Sequence, residues 1–199
     1  KIFSYYIVGM KTRKNKKYTF NKKHHNSGDG MLTTIWGPSM WHTLHTISFN
    51  YPVNPTCDDK VHYKNFILNL KNVLPCKYCR INLNNNFKSL PLRNCDMKNR
   101  ETFSRYVYQL HELVNKMLGK NSGLMYNDVR ERYEHFRSRC TKNEVKNKIY
   151  KTKTVKRKEK GCTEPLVGKK AKCVIKIVPQ ETKCNTFQVD KQCIKKNIN

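Results

Sequence analysis

Lysine crowds the two ends of this chain and thins out between them, which confines any packed core to the middle. The chain has 199 residues and a net charge of +27. Residues 1–30 carry 8 basic and 1 acidic side chain, residues 31–140 carry 16 and 8, and residues 141–199 carry 17 and 5. Both ends are also sparse in large apolar groups. Such segments bury too little surface to offset the entropy of ordering, so residues 1–30 and 141–199 read as basic, largely irregular extensions. Solvated tails are the simplest account of that charge. The functional account is weak contact with polyanions, because attraction to phosphates needs charge but no fold.

No window approaches the roughly 18 uninterrupted apolar residues of a membrane helix, so no span is expected. Ile2–Met10 is apolar but short, has no basic region before it and ends without a small-residue cleavage site, and it is not read as a secretory signal. Lys1 is an odd first residue, and Met31 opens the first segment that reads as folded.

Residues 31–140 read as helical throughout. Gly37-Pro38 marks a helix start, since proline at the first helical position gives up an amide that would be unpaired anyway. Met40, Trp41, Leu44, Ile47 and Tyr51 then recur at helical spacing until Tyr51-Pro52 ends the run. Asp58 and Asp59 suit the cap and first turn of a second helix, with Val61, Phe66, Ile67, Leu70, Val73 and Leu74 as its apolar positions and Pro75 closing it. A short third helix spans Cys76 to Phe87. In the fourth, Phe103, Tyr106, Val107, Leu110, Val114, Met117 and Leu118 form one stripe, and Gly119 is its stop. A fifth begins after Asn127, with Val129, Tyr133 and Phe136 facing inward. The expectation is an all-α fold: an antiparallel four-helix bundle plus a short fifth helix. In the tail, Cys173–Val178 is a single β-prone run.

Nine cysteines is many for this length, and the number is odd. An intracellular set of this kind suits metal binding or redox work better than a static secreted scaffold. The central signal is Pro75-Cys76-Lys77-Tyr78-Cys79. Two cysteines separated by two residues at a helix entrance can close a small disulfide ring, and the helix N-terminus lowers the thiol pKa. Three readings compete: a zinc half-site, a thioredoxin-like site, and a redox disulfide beside a cofactor. Zinc needs a second ligand pair, and no other Cys-x-x-Cys exists. The thioredoxin-like motif belongs after a strand, and this context is helical. The motif alone does not choose.

Two helical pairs bear on the choice. Trp41 and His45 are four apart in the first helix, as are His111 and Asn115 in the fourth, with Lys120 just past the Gly119 stop. Each pair also has an ordinary structural reading, as core aromatic or satisfied core histidine.

Taken together, the segments Trp36-Gly-Pro-Ser-Met-Trp41-His-Thr-Leu-His45, Tyr51-Pro52, Pro75-Cys-Lys-Tyr-Cys79 and His111-Glu-Leu-Val-Asn115-Lys-Met-Leu-Gly-Lys120 resemble the Erv/ALR family of FAD-linked sulfhydryl oxidases. The match runs over residues 31–139 and looks most like the versions found in large DNA viruses. The resemblance implies a helical FAD-binding oxidase domain over 31–140, usually a homodimer. It makes Cys79 the flavin-proximal thiol and Cys76 the interchange thiol. It puts Trp41, His45 and Tyr51 along the cofactor, His111 and Asn115 at its adenine and ribose side, Lys120 at its phosphates, and Tyr133 where a tryptophan often packs on adenine. No metal is implied. Aromatic walls with few polar anchors suit a planar flavin, and an ammonium suits pyrophosphate.

The implied activity is disulfide formation in protein dithiol substrates, with electrons passing through the Cys76–Cys79 disulfide and FAD to molecular oxygen and giving hydrogen peroxide. If the chain is viral, host cytoplasm or virion is the implied location. The rival class is a basic nucleic-acid-binding module with a structural zinc at Cys76 and Cys79, supported by charge alone.

Three departures stand out. The family's structural disulfide would fall at Tyr108 and Tyr126, so that staple is absent. Glu112 stands where asparagine is usual. A shuttle pair on a terminal arm has as candidates Cys140, Cys162, Cys173, Cys184 and Cys193. Cys57 and Cys95 are either paired or free.

Overall fold

Side chains that capture unpaired amides mark where several helices of this chain begin. The structure is a computed structural model, and it describes residues 21–141, 161–166, 178 and 181–182. The described residues fall into two compact units, one running to Ser122 and including Val178, Glu181 and Thr182, the other running from Gly123 through residue 166.

The first unit is a helical bundle. A single turn, α1 (Lys22–His25), precedes α2 (Thr33–Phe49), α3 (Cys57–Val73), α4 (Lys77–Ser89) and α5 (Arg100–Met117). Thr56 caps α3 by accepting from the Asp59 amide at 3.1 Å, while the Asp59 carboxylate accepts from the Thr56 amide at 2.8 Å. Asn99 and Thr102 make the same reciprocal box at α5. Each box satisfies two amides that the helix itself cannot. Gly119 ends α5 at φ 65°, a left-handed residue that suits glycine, and the following Lys120 amide donates back to the Asn115 carbonyl at 2.8 Å.

α2 packs on α5, α3 on α4, and α4 on α5. At the centre Tyr51, Phe103, Tyr106, Val107, Ile67 and Met97 are almost completely sealed from solvent. Tyr51 meets Tyr63 and Phe103 with ring centroids 4.8 and 4.7 Å apart, and its hydroxyl donates to the Met97 carbonyl at 3.0 Å.

The second unit holds α6 (Tyr126–Glu134) and a two-stranded antiparallel ladder, β1 (Ser138–Thr141) with β2 (Gly161–Pro165). Ser138 faces Pro165 and Cys140 faces Cys162, with an irregularity between Arg139 and Cys140.

The bundle agrees with the sequence pattern, and the differences are local. α2 starts at Thr33, so Pro38 lies inside the helix and not at its first position. The Ile35 amide donating to the Leu32 carbonyl closes an earlier turn. Thr56, not Asp58 or Asp59, caps α3, and Asp59 completes the box from the third position. Val61, Phe66 and Val73 are exposed on α3 while Ile67, Leu70 and Leu74 carry its burial. Met117 and Leu118 are also exposed at the end of α5. α6 begins at Tyr126, before Asn127, and Phe136 lies beyond its end. The ladder had no sequence signal, since strands of four and five residues are too short to show alternation. Of the β-prone run Cys173–Val178, only Val178 is among the described residues. Among those residues no helix is long and apolar enough to cross a membrane.

Candidate functional site

Pro75 breaks the chain between α3 and α4, and the sulfur pair sits at that break. Cys76 caps α4, its Sγ accepting from the Cys79 amide at 3.2 Å, and the two cysteines form a disulfide. The Arg80 guanidinium donates to the Leu74 carbonyl at 2.6 Å, which ties the turn to the helix it precedes. Among the described residues no group of three or more His, Cys, Asp or Glu side chains could hold a metal.

A short strap lies across this mouth. The Met31 amide donates to the Pro75 carbonyl at 2.7 Å, and the Lys77 amide donates to the Asp29 carbonyl at 3.0 Å. Between those two bonds Gly30 pairs with Cys76 as an isolated antiparallel bridge. Gly30 has φ 118°, and a Cβ there would lie 2.5 Å from the Pro75 oxygen and 2.7 Å from the Cys76 Cα. Only glycine meets both demands. The Trp36 indole N–H donates to the Met31 carbonyl at 3.0 Å and so ties the strap to α2.

Along α2 and α5 a second group of residues comes together. Trp41 lies flat on His111, with ring centroids 4.0 Å apart and planes 7° from parallel. His45 Nε2 and His111 Nδ1 are 2.9 Å apart, one donating and the other accepting. Burial, reinforced by His111 and His42, holds His45 down at about 3. Burial also lowers His111 to about 4, with Lys120 acting in the same direction and Glu112 against it. Both imidazoles are therefore neutral at pH 7, and the cluster presents uncharged flat rings. Asn115 donates to the Glu112 carboxylate at 3.0 Å, so the glutamate that departs from the family pattern holds the asparagine one turn away.

Of the sequence-predicted site residues, Cys76 and Cys79 meet at α4, while Trp41, His45 and His111 form the ring cluster. Asn115 and Lys120 follow it at the end of α5. Tyr51 stands apart as a core residue with its hydroxyl committed. Tyr133 belongs to the second unit, where its ring meets Phe136 edge-on at 5.6 Å and burial pushes its phenol pKa up. Cys57 and Cys95 are free and exposed. Cys162 is disulfide-bonded, and Cys173, Cys184 and Cys193 lie outside the described residues. Sequence reasoning missed the strap and Thr33, whose hydroxyl is 3.8 Å from Cys79 Sγ. The positive φ and backbone pairing of Gly30 leave no periodic trace.

The donor set fits a flavin nucleotide. A disulfide lies at one end of α2, and Trp41 and His45 stand eight and twelve residues along it, about 12 and 18 Å at helical rise. Neutral rings then give way to an amide and an ammonium at Asn115 and Lys120. That order suits a long ligand with an electron-accepting ring, a stacking base and phosphates.

The family model described as Erv1 / Alr family matches residues 38–160. A probable FAD-linked sulfhydryl oxidase of Acanthamoeba polyphaga mimivirus is 35% identical over 85 residues, covering 43% of this chain and 59% of that one. An FAD-linked sulfhydryl oxidase of African swine fever virus is 33% identical over 85 residues, covering 43% and 69%. The mitochondrial FAD-linked sulfhydryl oxidase ERV1 of Saccharomyces cerevisiae is 31% identical over 85 residues, covering 42% and 43%. The chain thus spans about three-fifths of the mimivirus relative and less than half of the yeast one. Among solved structures, the yeast Erv1 core aligns with TM-score 0.45 and 23% identity over 64% of this chain and 95% of that one.

Proposed function

The chain belongs to the Erv1 / Alr family, and from that premise we propose that it is an FAD-dependent thiol oxidase forming disulfides in protein dithiols. The observation that carries the reading is the Cys76–Cys79 disulfide at the mouth of α4, inside a bundle that offers neutral ring walls. The sulfurs are bonded to each other, a state that leaves no thiolates for a zinc half-site.

The residues act in sequence. A substrate thiolate attacks Cys76 Sγ, the bond to Cys79 breaks, and Cys79 Sγ departs with the electron pair. The second substrate thiolate then attacks the mixed disulfide and releases Cys76. The positive end of α4 favours the thiolates so formed. Trp41, His45 and His111 would hold the cofactor's rings and Asn115 and Lys120 its ribose and phosphates. FAD, when bound, supplies a two-electron acceptor that molecular oxygen reoxidises with release of hydrogen peroxide. Tyr51 braces the end of α2 from the core, and Tyr133 is the remaining candidate on the adenine side.

The folded domain is assigned to residues 31–140, with basic extensions on either side. Homodimerisation and weak polyanion contact through the lysine-rich segments belong to the same reading, as does host cytoplasm or virion for a viral chain. A relay pair in the tail is supported by the facing positions of Cys140 and Cys162.

The test begins with colour. The purified protein should show a bound-flavin spectrum and consume oxygen with dithiothreitol. Cys76→Ser and Cys79→Ser should each abolish turnover while keeping the flavin. A colourless, inactive parent protein would overturn the reading.

A further inference from the structure

The strap carries more than a brace. It delivers the first residue of α2, Thr33, to the sulfur pair, where the Thr33 hydroxyl lies 3.8 Å from Cys79 Sγ. That hydroxyl caps nothing, since the α2 cap position is Leu32 and makes no side-chain cap bond. Two helix N-termini, those of α2 and α4, therefore meet at Cys79, and neither carries an acidic residue in its first turn. Helix N-termini favour negative charge nearby, and the first such charge to form in the exchange is on the Cys79 sulfur.

We propose that the Thr33 hydroxyl is a catalytic hydrogen-bond donor to Cys79, stabilising its sulfur as a thiolate when the Cys76–Cys79 disulfide opens. The proposal rests on the exchange chemistry assigned above and adds a residue to it. In the disulfide, Sγ is a weak acceptor and the contact is long. When a substrate thiolate forms its bond to Cys76 Sγ, the Cys79–Cys76 bond breaks and both its electrons go to Cys79. The new thiolate is a strong acceptor, and the Thr33 O–H, already beside it, donates without rearrangement. A better-stabilised leaving thiolate departs faster and persists at lower pH.

At the ends that converge on Cys79, the charged and titratable groups are Asp29 in the strap, Lys71 in the last turn of α3, and Lys77, Tyr78 and Arg80 at the start of α4. His42 and His45 stand further along α2, Lys88 at the far end of α4, and Asp58, Asp59, Lys60, His62, Tyr63 and Lys64 in the opposite half of α3. Asp29 accepts from the Ser27 hydroxyl, and Arg80 is engaged with the Leu74 carbonyl. The first turn of α2 has no charge at all. Thr33 is thus the neutral donor whose effect a substitution isolates.

The experiment uses the full chain in a Cys76→Ser background, which leaves Cys79 as the single thiol of the pair. The rate of iodoacetamide alkylation at Cys79 is followed from pH 4 to 9 by mass spectrometry of its peptide, so that Cys57 and Cys95 do not interfere. Thr33→Val should raise the alkylation midpoint by about one pH unit, the scale of one charge-assisted hydrogen bond. Thr33→Ser, which keeps the hydroxyl, should hold it close to the parent. In the intact disulfide, opening by dithiothreitol should slow by about threefold in Thr33→Val and recover in Thr33→Ser.

An unmoved midpoint in Thr33→Val, or equal shifts in Val and Ser, overturns the proposal. Thr33→Ala serves as a second deletion should Val disturb the helix start. Absence of flavin and of oxygen consumption would remove the oxidase reading, yet leave this titration readable. An unchanged titration in a yellow, active enzyme removes only the role of Thr33.

Discussion

The two halves of α5 differ in what they bury. From Phe103 to Leu110 the inward positions are sealed, and the hydroxyl of Tyr106 is satisfied by the Leu90 carbonyl at 3.0 Å. From His111 onward every residue through Lys120 is half-buried or exposed, and the inward ring is an imidazole stacked under Trp41. The first half is packed into the buried apolar cluster with residues of α2, α3 and α4. The second half holds the His111 imidazole neutral against His45 of α2, and leaves Met117 and Leu118 in solvent. The contrast teaches that, on the proposed function, folding and ligand binding fall to successive turns of one helix.

The largest effect should come from attacking the sealed half. Phe103→Ala leaves a cavity among Tyr51 and Tyr63 and should cost about 3–5 kcal/mol, read by chemical denaturation. A cost under about 1 kcal/mol, the range of tolerated core swaps, would mean this half is not the core. The next effect sharpens the other half. FAD at about one hundred times its Kd should raise stability by about 2.7 kcal/mol. Trp41→Ala should shrink that gain while leaving the flavin-free melting temperature near the parent's. Equal melting with and without FAD would erase the division.

The smallest effect is a pH slope. His45 and His111 are held at about 3 and about 4, against about 6.5 in an unfolded chain. The unfolded chain therefore takes up protons that the fold refuses. Stability is whole above pH 6.5 and is lost as pH falls toward 4. Melting temperature should drop between pH 7 and pH 5, and His111→Phe should flatten the drop. A flat profile in the parent would place both imidazoles in water.

Much of this was legible in the sequence. The periodic stripe Phe103-Tyr106-Val107-Leu110 and the Gly119 stop located α5, because burial at helical spacing is what periodicity reports. The cysteine spacing located the sulfur pair. What stayed hidden depended on contacts between distant segments. Pro38 has the look of a helix start, yet backbone bonding of the preceding turn moved the start to Thr33. Tyr51 reads as a ring near a cofactor, but its hydroxyl goes to Met97, forty-six residues away. The short ladder of β1 and β2 pairs segments about twenty residues apart, where no local pattern announces it.

The grip of residues 29–31 on the α4 mouth is made of amides and carbonyls, which every amino acid other than proline supplies alike. Letters at 29 and 31 can therefore drift freely among distant cousins while the shape persists. The one letter with no synonym is Gly30, and a comparison of homologues would find the clamp only as a lone glycine some forty-six positions ahead of the first cysteine of the motif.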